Sequence, residues 1–515
     1  MLLRQIFDPQ LAQYAYLIGC QQTGEALIID PERDVDRYIR LAQQEGLRIT
    51  AVAETHIHAD FLSGGRELAE GHGAHLYVSD EGGPDWRYEW VLEAAAEKGS
   101  DLPYEVTFLK DGDRFWIGKI EITAVHTPGH TPEHLSFLVT DHGGGATQPM
   151  GIATGDFVFV GDLGRPDLLE SAAGIAGQQE PSARKLYASV GRFLDLPDFL
   201  QVWPAHGAGS ACGKALGAVP TSTVGYERRH NAAIDATRRG EDAFVDSILD
   251  GQPEPPLYFA TMKKLNKEGA AVLGGLPHPT LLQASEVKAA LDAPRGDAAG
   301  GKGGTVVIDT RLDRDAFMVG HLKGSLFAPL NNSFPTVVGS FVRPEQRIIL
   351  VADEDDVDSA VRSLIRIGFD RVVGYVPPEV LHDEALEDRL VSTPKADFSE
   401  VPDDPRDGAT VLDVRGASEY RAGHLVGALN VAHTRLLDRL DEVPEDGRIY
   451  VHCRRGARAA VSSALLEREG RDVVWVDDDF PAGSDRVVRG SENRGRENRG
   501  GEERRAEPAV AGASS

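Results

Sequence analysis

Two stretches of the chain carry residue types that do chemistry. Residues 55–60 read T-H-I-H-A-D, directly after an apolar run. Two histidines and an aspartate on one strand-end loop can converge on a single point, and imidazole with carboxylate suits zinc or iron. Further on come H-T-P-G-H-T-P-E-H at 126–134, G-D at 155–156 and P-A-H at 204–206. Gathered at the ends of strands, these groups would form one site at a sheet edge. The second stretch is Y-V-H-C-R-R-G-A-R at 450–458. An apolar strand ends at Cys453, and the loop leads into a helical pattern over 459–469. That arrangement sets the sulfur over backbone N–H groups at a helix N-terminus. Arg454, Arg455 and Arg458 add positive charge, and both effects favour the thiolate, the reactive form.

The elements that must position these residues follow from the apolar pattern. Residues 14–30 hold two short apolar runs around a Gly-containing turn, a hairpin signal. A helical spacing covers 35–46 and an apolar strand 48–54. Short strands are expected at 105–109, 114–117 and 120–126, with D-G-D at 111–113 as a turn, and further strands at 135–139 and 156–160. Strands interspersed with helices indicate layered α/β architecture. Residues 251–279 are rich in Pro and Gly and read as a linker leaving the first domain. A loose repeat follows: 306–326 (VVIDTRLDRDAFMVGHLKGSL) parallels 411–431 (VLDVRGASEYRAGHLVGALNV). Each copy is followed by a second apolar strand, at 347–352 and 448–452, so strand, helix, strand predicts two small α/β domains with parallel sheets. Residues 295–304 read as a loop insertion. The tail over 485–515 is poor in apolar residues and is expected to be disordered.

A length of 515 residues suggests two to four domains. The net charge of −27, from 81 acidic against 54 basic residues, argues against nucleic acid or an anionic membrane as the main partner. Three scattered cysteines, Cys20, Cys212 and Cys453, form no disulfide framework, and no signal peptide or membrane span is read. These features give the expectation of a cytoplasmic protein. Cys20, on an apolar strand, reads as core.

The ordered set T-H-x-H-x-D, T-P-G-H-T, G-D and P-A-H resembles the metallo-β-lactamase superfamily across residues 1–250. The resemblance implies an αββα sandwich. Two-metal hydrolases of that superfamily read H-x-H-x-D-H, whereas here the last position is Phe61, which cannot bind a metal. The sequence resembles the one-iron branch, the persulfide dioxygenases, which carry G-R-x-D after the aspartate strand, as in G-R-P-D at 164–167. Carried over, the resemblance gives His56, His130 and Asp156 as ligands of one Fe(II), with zinc as the alternative metal. A two-histidine, one-carboxylate set leaves positions open for substrate and O2. His58, Asp60 and His206 would then orient ligands or substrate by hydrogen bonds. Arg165 reads as a group that shapes the pocket or pairs with a substrate carboxylate or phosphate, or else as a structural salt bridge. Cys212 reads as a sulfur acceptor at the pocket or as a buried small apolar residue.

The loop C-x-x-G-x-R, with D-V-R at 413–415 and G-H-L at 423–425, resembles the rhodanese sulfurtransferases over residues 395–484. Cys453, Arg454 and Arg458 are the catalytic candidates it supplies. The first copy, 280–385, departs from this: it reads V-A-D-E-D-D-V at 351–357, with Asp353 near the cysteine position and acids in place of arginines. It is read as an inactive rhodanese-like domain, Asp309 and Arg311 echoing Asp413 and Arg415.

Together these resemblances imply a bifunctional enzyme of sulfide detoxification. Its partners would be a low-molecular-weight thiol persulfide and O2, with sulfite or thiosulfate, and a homo-oligomer fits the family. The alternatives are a binuclear zinc thioester hydrolase resembling glyoxalase II fused to a sulfur carrier, and a non-enzymatic redox sensor or scaffold.

Overall fold

A computed structural model describes residues 1–98, 102–171, 177–214, 216–293, 304–402 and 408–489. The predicted loop insertion, apart from residue 304, and the predicted tail beyond residue 489 lie outside the described residues. The chain forms two compact units, residues 1–313 with 328–389, and residues 314–327 with those from 390 on.

In the first unit, two six-stranded sheets face each other. One runs in sequence order through Leu2–Asp8, Gln13–Cys20, Glu25–Ile29, Arg48–Ala53, His75–Ser79 and Val106–Leu109. The other orders Arg114–Ile117, Ile120–His126, Leu135–Asp141, Gly151–Gly155, Gln201–Pro204 and Ser222–Thr223 from one edge to the other. Alternation along these strands gives three apolar layers. Tyr16, Ile18, Ile122, Phe137 and Trp203 fill the space between the sheets, with Cys20 among them. Tyr38, Leu68 and Trp90 pack helices on one outer face, and Leu186, Phe193 and Phe244 pack helices on the other. This is the αββα sandwich.

The expected strand at 156–160 falls instead on Gly151–Gly155. GIATG lacks a strong apolar signal because its strand is buried on both sides against close neighbours: a Cβ on Gly151 would sit 2.2 Å from the Trp203 ring. The apolar FVFV that follows is buried loop.

The segment 251–279 is not simply a linker. Tyr258–Glu268 forms a helix whose Tyr258, Phe259 and Met262 are buried. The flanking prolines and glycines hide it, since they mark its ends rather than its absence.

Both repeats use the same parallel strand order. In the first, Thr280–Leu281, Val372–Val376, Arg347–Val351 and Thr305–Asp309 lie side by side. In the second, Lys395–Ala396, Asp472–Val476, Arg448–His452, Ala409–Asp413 and Leu429–Asn430 do so. The register corrects one expectation. Asp309 pairs with Val351 as Asp413 pairs with His452, so Ala352, not Asp353, takes the place of Cys453. The helix then starts at Glu354 in the first copy but at Ala457 in the second. The first copy has lost the loop as well as the thiol.

Two domain limits also shift. Residues 314–327, read as part of the first repeat, belong to the second unit, where His321 Nε2 lies 3.1 Å from Glu467 Oε1 and His321–Leu322 pairs with Leu390–Val391. Val487–Arg489, read as tail, forms a strand antiparallel to Gly423–Leu425. Its two valines supply the β-branched residues that make this possible. No described helix is long and apolar enough to cross a membrane.

Candidate metal centre and cysteine loop

The motif residues of the first unit all follow strand ends at one edge of the sandwich. Thr55–Ser63 leaves Arg48–Ala53, Thr127–His134 leaves Ile120–His126, Asp156 follows Gly151–Gly155 and His206 follows Gln201–Pro204. The Leu135 N–H donates to the Thr55 carbonyl at 2.7 Å, joining the two sheets there. Two glycines permit the crowding. Gly155 has φ +52°, and a Cβ on it would lie 2.6 Å from His134 Nε2; one on Gly164 would strike the Asp156 carbonyl oxygen at 1.7 Å.

One ligand-type atom from each of His56, His130 and Asp156 falls within 4.8 Å of the others. Asp156 Oδ2 lies 3.4 Å from His130 Nε2 and 4.0 Å from His56 Nε2. Hydrogen bonds fix which nitrogen is free. A carbonyl can only accept, so His130 Nδ1 donates to the Arg165 carbonyl at 3.0 Å. His56 Nδ1 lies 2.9 Å from the Thr55 hydroxyl, which itself donates to Asp30 Oδ2 at 2.8 Å. Both Nε2 atoms therefore present lone pairs inward. Burial, with His58 nearby, pushes the His56 pKa well below its ordinary value and keeps that ring neutral. Burial disfavours charge on Asp156, but His206 and His130 outweigh it and hold the carboxyl well below the usual range. His56 Nε2 and both Asp156 oxygens are buried without a hydrogen bond. Buried polar atoms left unpaired are costly, and a cation at this point would satisfy His56 Nε2 and the Asp156 oxygen that faces it. The donor set fits a divalent metal.

The other motif residues divide between two places. Asp60, His206 and Cys212 form a second buried set of donor atoms. His206 Nδ1 donates to the Ala12 carbonyl at 3.2 Å, and its Nε2 lies 3.2 Å from both Asp60 Oδ2 and Asp156 Oδ1. Burial, reinforced by Asp60 and Asp156, pushes the Cys212 thiol up. His58 faces the other way: its Nε2 is 3.2 Å from Asp30 Oδ1 and 3.3 Å from Glu54 Oε2. Arg165 makes a salt bridge in this structure. It is buried, paired with both oxygens of Asp167 at 2.8 and 2.6 Å, and donates to the Ala211 carbonyl. Its guanidinium serves the loop, and its carbonyl orients His130.

Sequence reading missed His134. Its Nε2 accepts the Asp156 N–H at 3.0 Å while its Nδ1 meets the Thr127 hydroxyl at 2.8 Å. The only signal was its place in the T-P-E-H run. Asp30 was missed too; it sits at φ +51°, and its carboxylate binds Thr55 N at 2.7 Å.

In the second unit, Cys453 is buried directly after Arg448–His452. Gly456, at φ +78°, turns the loop into the helix Ala457–Arg468, and its carbonyl is held by Trp475 Nε1 at 2.9 Å. Asp413 anchors Arg415 through both carboxylate oxygens. A cleft of about 630 Å³ is lined by Arg415, Glu419, Arg454, Arg455, Asp479 and Phe480. Arg454 and Arg455 are exposed at it, whereas Arg458 is bound bidentate by Glu419 at 2.6 and 2.9 Å. Arg458 therefore braces the loop, and Glu419, unnoticed in the sequence, is its anchor.

His433 adds a pH dependence. Burial, with Arg458 nearby, lowers its pKa from 6.5 to about 4. Between those values the unfolded chain takes up a proton that the folded unit refuses, so this contribution to stability falls as pH drops from 6.5 to 4. Replacing His433 by Gln should therefore flatten the pH dependence of the melting temperature over this window. Parallel melting curves for wild type and variant check it, and identical slopes would refute it.

The family model of the metallo-β-lactamase superfamily matches residues 8–206, and that of the rhodanese-like domain matches 397–485. The mitochondrial persulfide dioxygenase of Homo sapiens is 29% identical over 211 residues, 40% of this chain and 68% of that protein. A probable metallo-hydrolase of Burkholderia pseudomallei is 28% identical over 314 residues, 57% of this chain and 100% of that protein. A crystal structure of a metallo-β-lactamase from Staphylococcus aureus subsp. aureus COL is 40% identical with a TM-score of 0.62, the match covering 73% of this chain and 99% of that one. The chain belongs to the metallo-β-lactamase superfamily and carries a C-terminal rhodanese-like domain.

Proposed function

We propose that the chain is a cytoplasmic enzyme of sulfide detoxification, an iron-dependent persulfide dioxygenase with rhodanese-type sulfur transfer. The observation that carries this reading is the inward-facing set of His56 Nε2, His130 Nε2 and Asp156 on a chain that also keeps an intact C-R-R-G-A-R loop. The likeness to a persulfide dioxygenase supports it. One Fe(II) held by these three residues supplies the redox chemistry that couples O2 to sulfur oxidation. The balance is RSSH + O2 + H2O giving RSH + H2SO3, so thiol and sulfite leave.

The protein's own residues prepare this reaction. Thr55 with Asp30, and the Arg165 carbonyl, fix the tautomers of His56 and His130. His134 holds the Asp156 backbone. His206 and Asp60 stand beside Asp156, where they can hold and pass a proton. Burial of the whole group keeps bulk water out. At the second site the Cys453 thiolate attacks the outer sulfur of a persulfide or thiosulfate. The donor's S–S (or S–sulfonate) bond breaks, the electron pair leaves with the thiolate or sulfite, and Cys453 becomes a persulfide. An acceptor then takes that sulfur. Arg454 and Arg455 supply positive charge for anionic donors and acceptors at the cleft.

The deciding experiment gives iron-loaded full-length protein glutathione persulfide and follows O2 uptake alongside metal content. One iron per chain with O2 consumption supports the reading, and no uptake overturns it. The set Asp60, His206 and Cys212 favours one alternative, a binuclear zinc thioester hydrolase resembling glyoxalase II. Two zinc ions per chain and thioester hydrolysis would establish that alternative instead.

A further inference from the structure

The repeat that lost its cysteine is bonded into the metal loop, and the bonds converge on one residue, Arg366. It ends the helix Glu354–Arg366, the counterpart of the helix that follows Cys453. Its carbonyl accepts the Leu62 N–H at 2.6 Å, two residues beyond Asp60. Its guanidinium reaches Asp34 at 2.7 and 2.9 Å, Glu32 at 2.9 Å and the carboxylate of Asp8. Glu32 and Asp34 lie just beyond Asp30, whose side chain holds Thr55 and His58. The same two segments also touch each other. Glu32 bridges to Ser63, and Gly64 N–H donates to the Pro31 carbonyl at 2.7 Å. One residue thus grips both sides of the structure that presents His56.

The energetics say what such a contact is for. Arg366, Asp34 and Glu32 are all buried. Buried ion clusters carry a heavy desolvation cost, and an apolar contact of the same size is commonly as stable. What the guanidinium adds is direction, since its fork fixes several carboxylates at set angles. The helix Tyr258–Glu268 holds the same loop. Asn266 Nδ2 donates to the carbonyls of His58 and Phe61 at 2.8 and 2.7 Å, and its Oδ1 accepts from Ser63 N at 2.9 Å.

We infer that the cysteine-less rhodanese-like repeat is a clamp for the metal-binding loop, with Arg366 as the positioning residue that sets His56 and Asp60 through Leu62, Glu32 and Asp34. This rests on the reading that His56, His130 and Asp156 hold a metal. Loss of the persulfide loop then has a structural counterpart: the helix that would cap a thiolate serves a neighbouring active site instead.

The test uses the full chain and Co(II) alone, followed by its visible absorption and by chelator competition. Arg366→Lys keeps the charge but loses the fork, and Arg366→Met loses both. Each should weaken Co(II) binding by roughly 10- to 100-fold, as loss of a residue that orients ligands does, and should alter the spectrum. Arg371→Leu, on the same repeat, breaks a bond to the Glu345 carbonyl. It removes no bond to Leu62, Glu32 or Asp34 and should leave the spectrum native. Sulfur transfer at Cys453 should persist throughout.

Should the Arg366 variants fail to fold, hydrogen exchange on the wild-type chain decides. Coupling is reciprocal, so Co(II) must slow exchange in 360–368 as well as in 55–63. Native affinity and spectrum in folded Arg366 variants, or no Co(II)-dependent protection of 360–368, overturns the clamp alone. A native chain that binds no Co(II) overturns the metal reading, and the clamp with it.

Discussion

Asp156→Asn is expected to empty the metal centre and abolish O2 uptake with persulfide, while sulfur transfer at Cys453 continues. Asp156 is fully buried, with His130 and His56 facing one carboxylate oxygen and His206 the other. It is the only carboxylate of the three-ligand set. Asparagine keeps the shape but replaces an anion by a neutral amide, and one of its two ends turns N–H donors toward the imidazole lone pairs. Loss of a residue that merely orients a ligand weakens metal binding about 10- to 100-fold, so loss of the charged ligand itself should weaken it by roughly 10³-fold or more. The backbone N–H bond to His134 does not depend on the side chain, so the loop keeps its anchor. Metal analysis after dialysis, run beside an oxygen electrode, measures the effect. A variant that retains one iron and normal uptake would show that the metal sits elsewhere.

The candidate ligands could be picked out because metal chemistry restricts residue type, and the fold brings His56, His130 and Asp156 together at strand ends on one edge. What supports them was less legible. Arg165 looked as suited to a substrate as to Asp167, because one arginine serves either, and only the fold brings Asp167 and the Ala211 carbonyl around it. His134 and Asp30 act through a backbone N–H and a hydroxyl, contacts that leave no spacing signature. Asp353 seemed to replace the cysteine because the loop is shorter in the first copy, and a deletion shifts a count by eye; the strand register restores Ala352 to that place. The helix Tyr258–Glu268 was hidden by the prolines and glycines around it, although Tyr258, Phe259, Met262 and Leu265 have helical spacing. Its role also needed the fold, since Asn266 is an ordinary polar residue until it meets the loop at His58 and Phe61. Side chains that meet ligands follow from chemistry, whereas those that meet backbone follow from topology.

Cys453→Ser should reduce sulfur transfer to the uncatalysed background and leave O2 uptake in place. The argument begins with the atom. A sulfane sulfur can be held as a persulfide on sulfur, but a serine oxygen at neutral pH is neither ionised nor able to carry it, so the covalent intermediate is lost rather than slowed. Serine is nearly isosteric and the position is buried, so folding should survive. The loop itself is held by bonds that do not involve the thiol: Arg458 to Glu419, Trp475 to the Gly456 carbonyl, and Arg415 to Asp413. Removing a nucleophile that acts as part of a unit costs activity on the order of 10⁴-fold or more, far beyond any effect of altered packing. Arg454→Ala provides the graded comparison. Arg454 lines the cleft and is exposed, so its loss should raise the KM for anionic donors several-fold with a smaller effect on kcat. Thiosulfate-to-thiol transfer assays on both variants, with O2 uptake in parallel, separate the outcomes. Transfer that survives in Cys453→Ser would move the sulfur-carrying role to another thiol. Loss of both activities together would show that the dioxygenase site depends on sulfur delivered from Cys453.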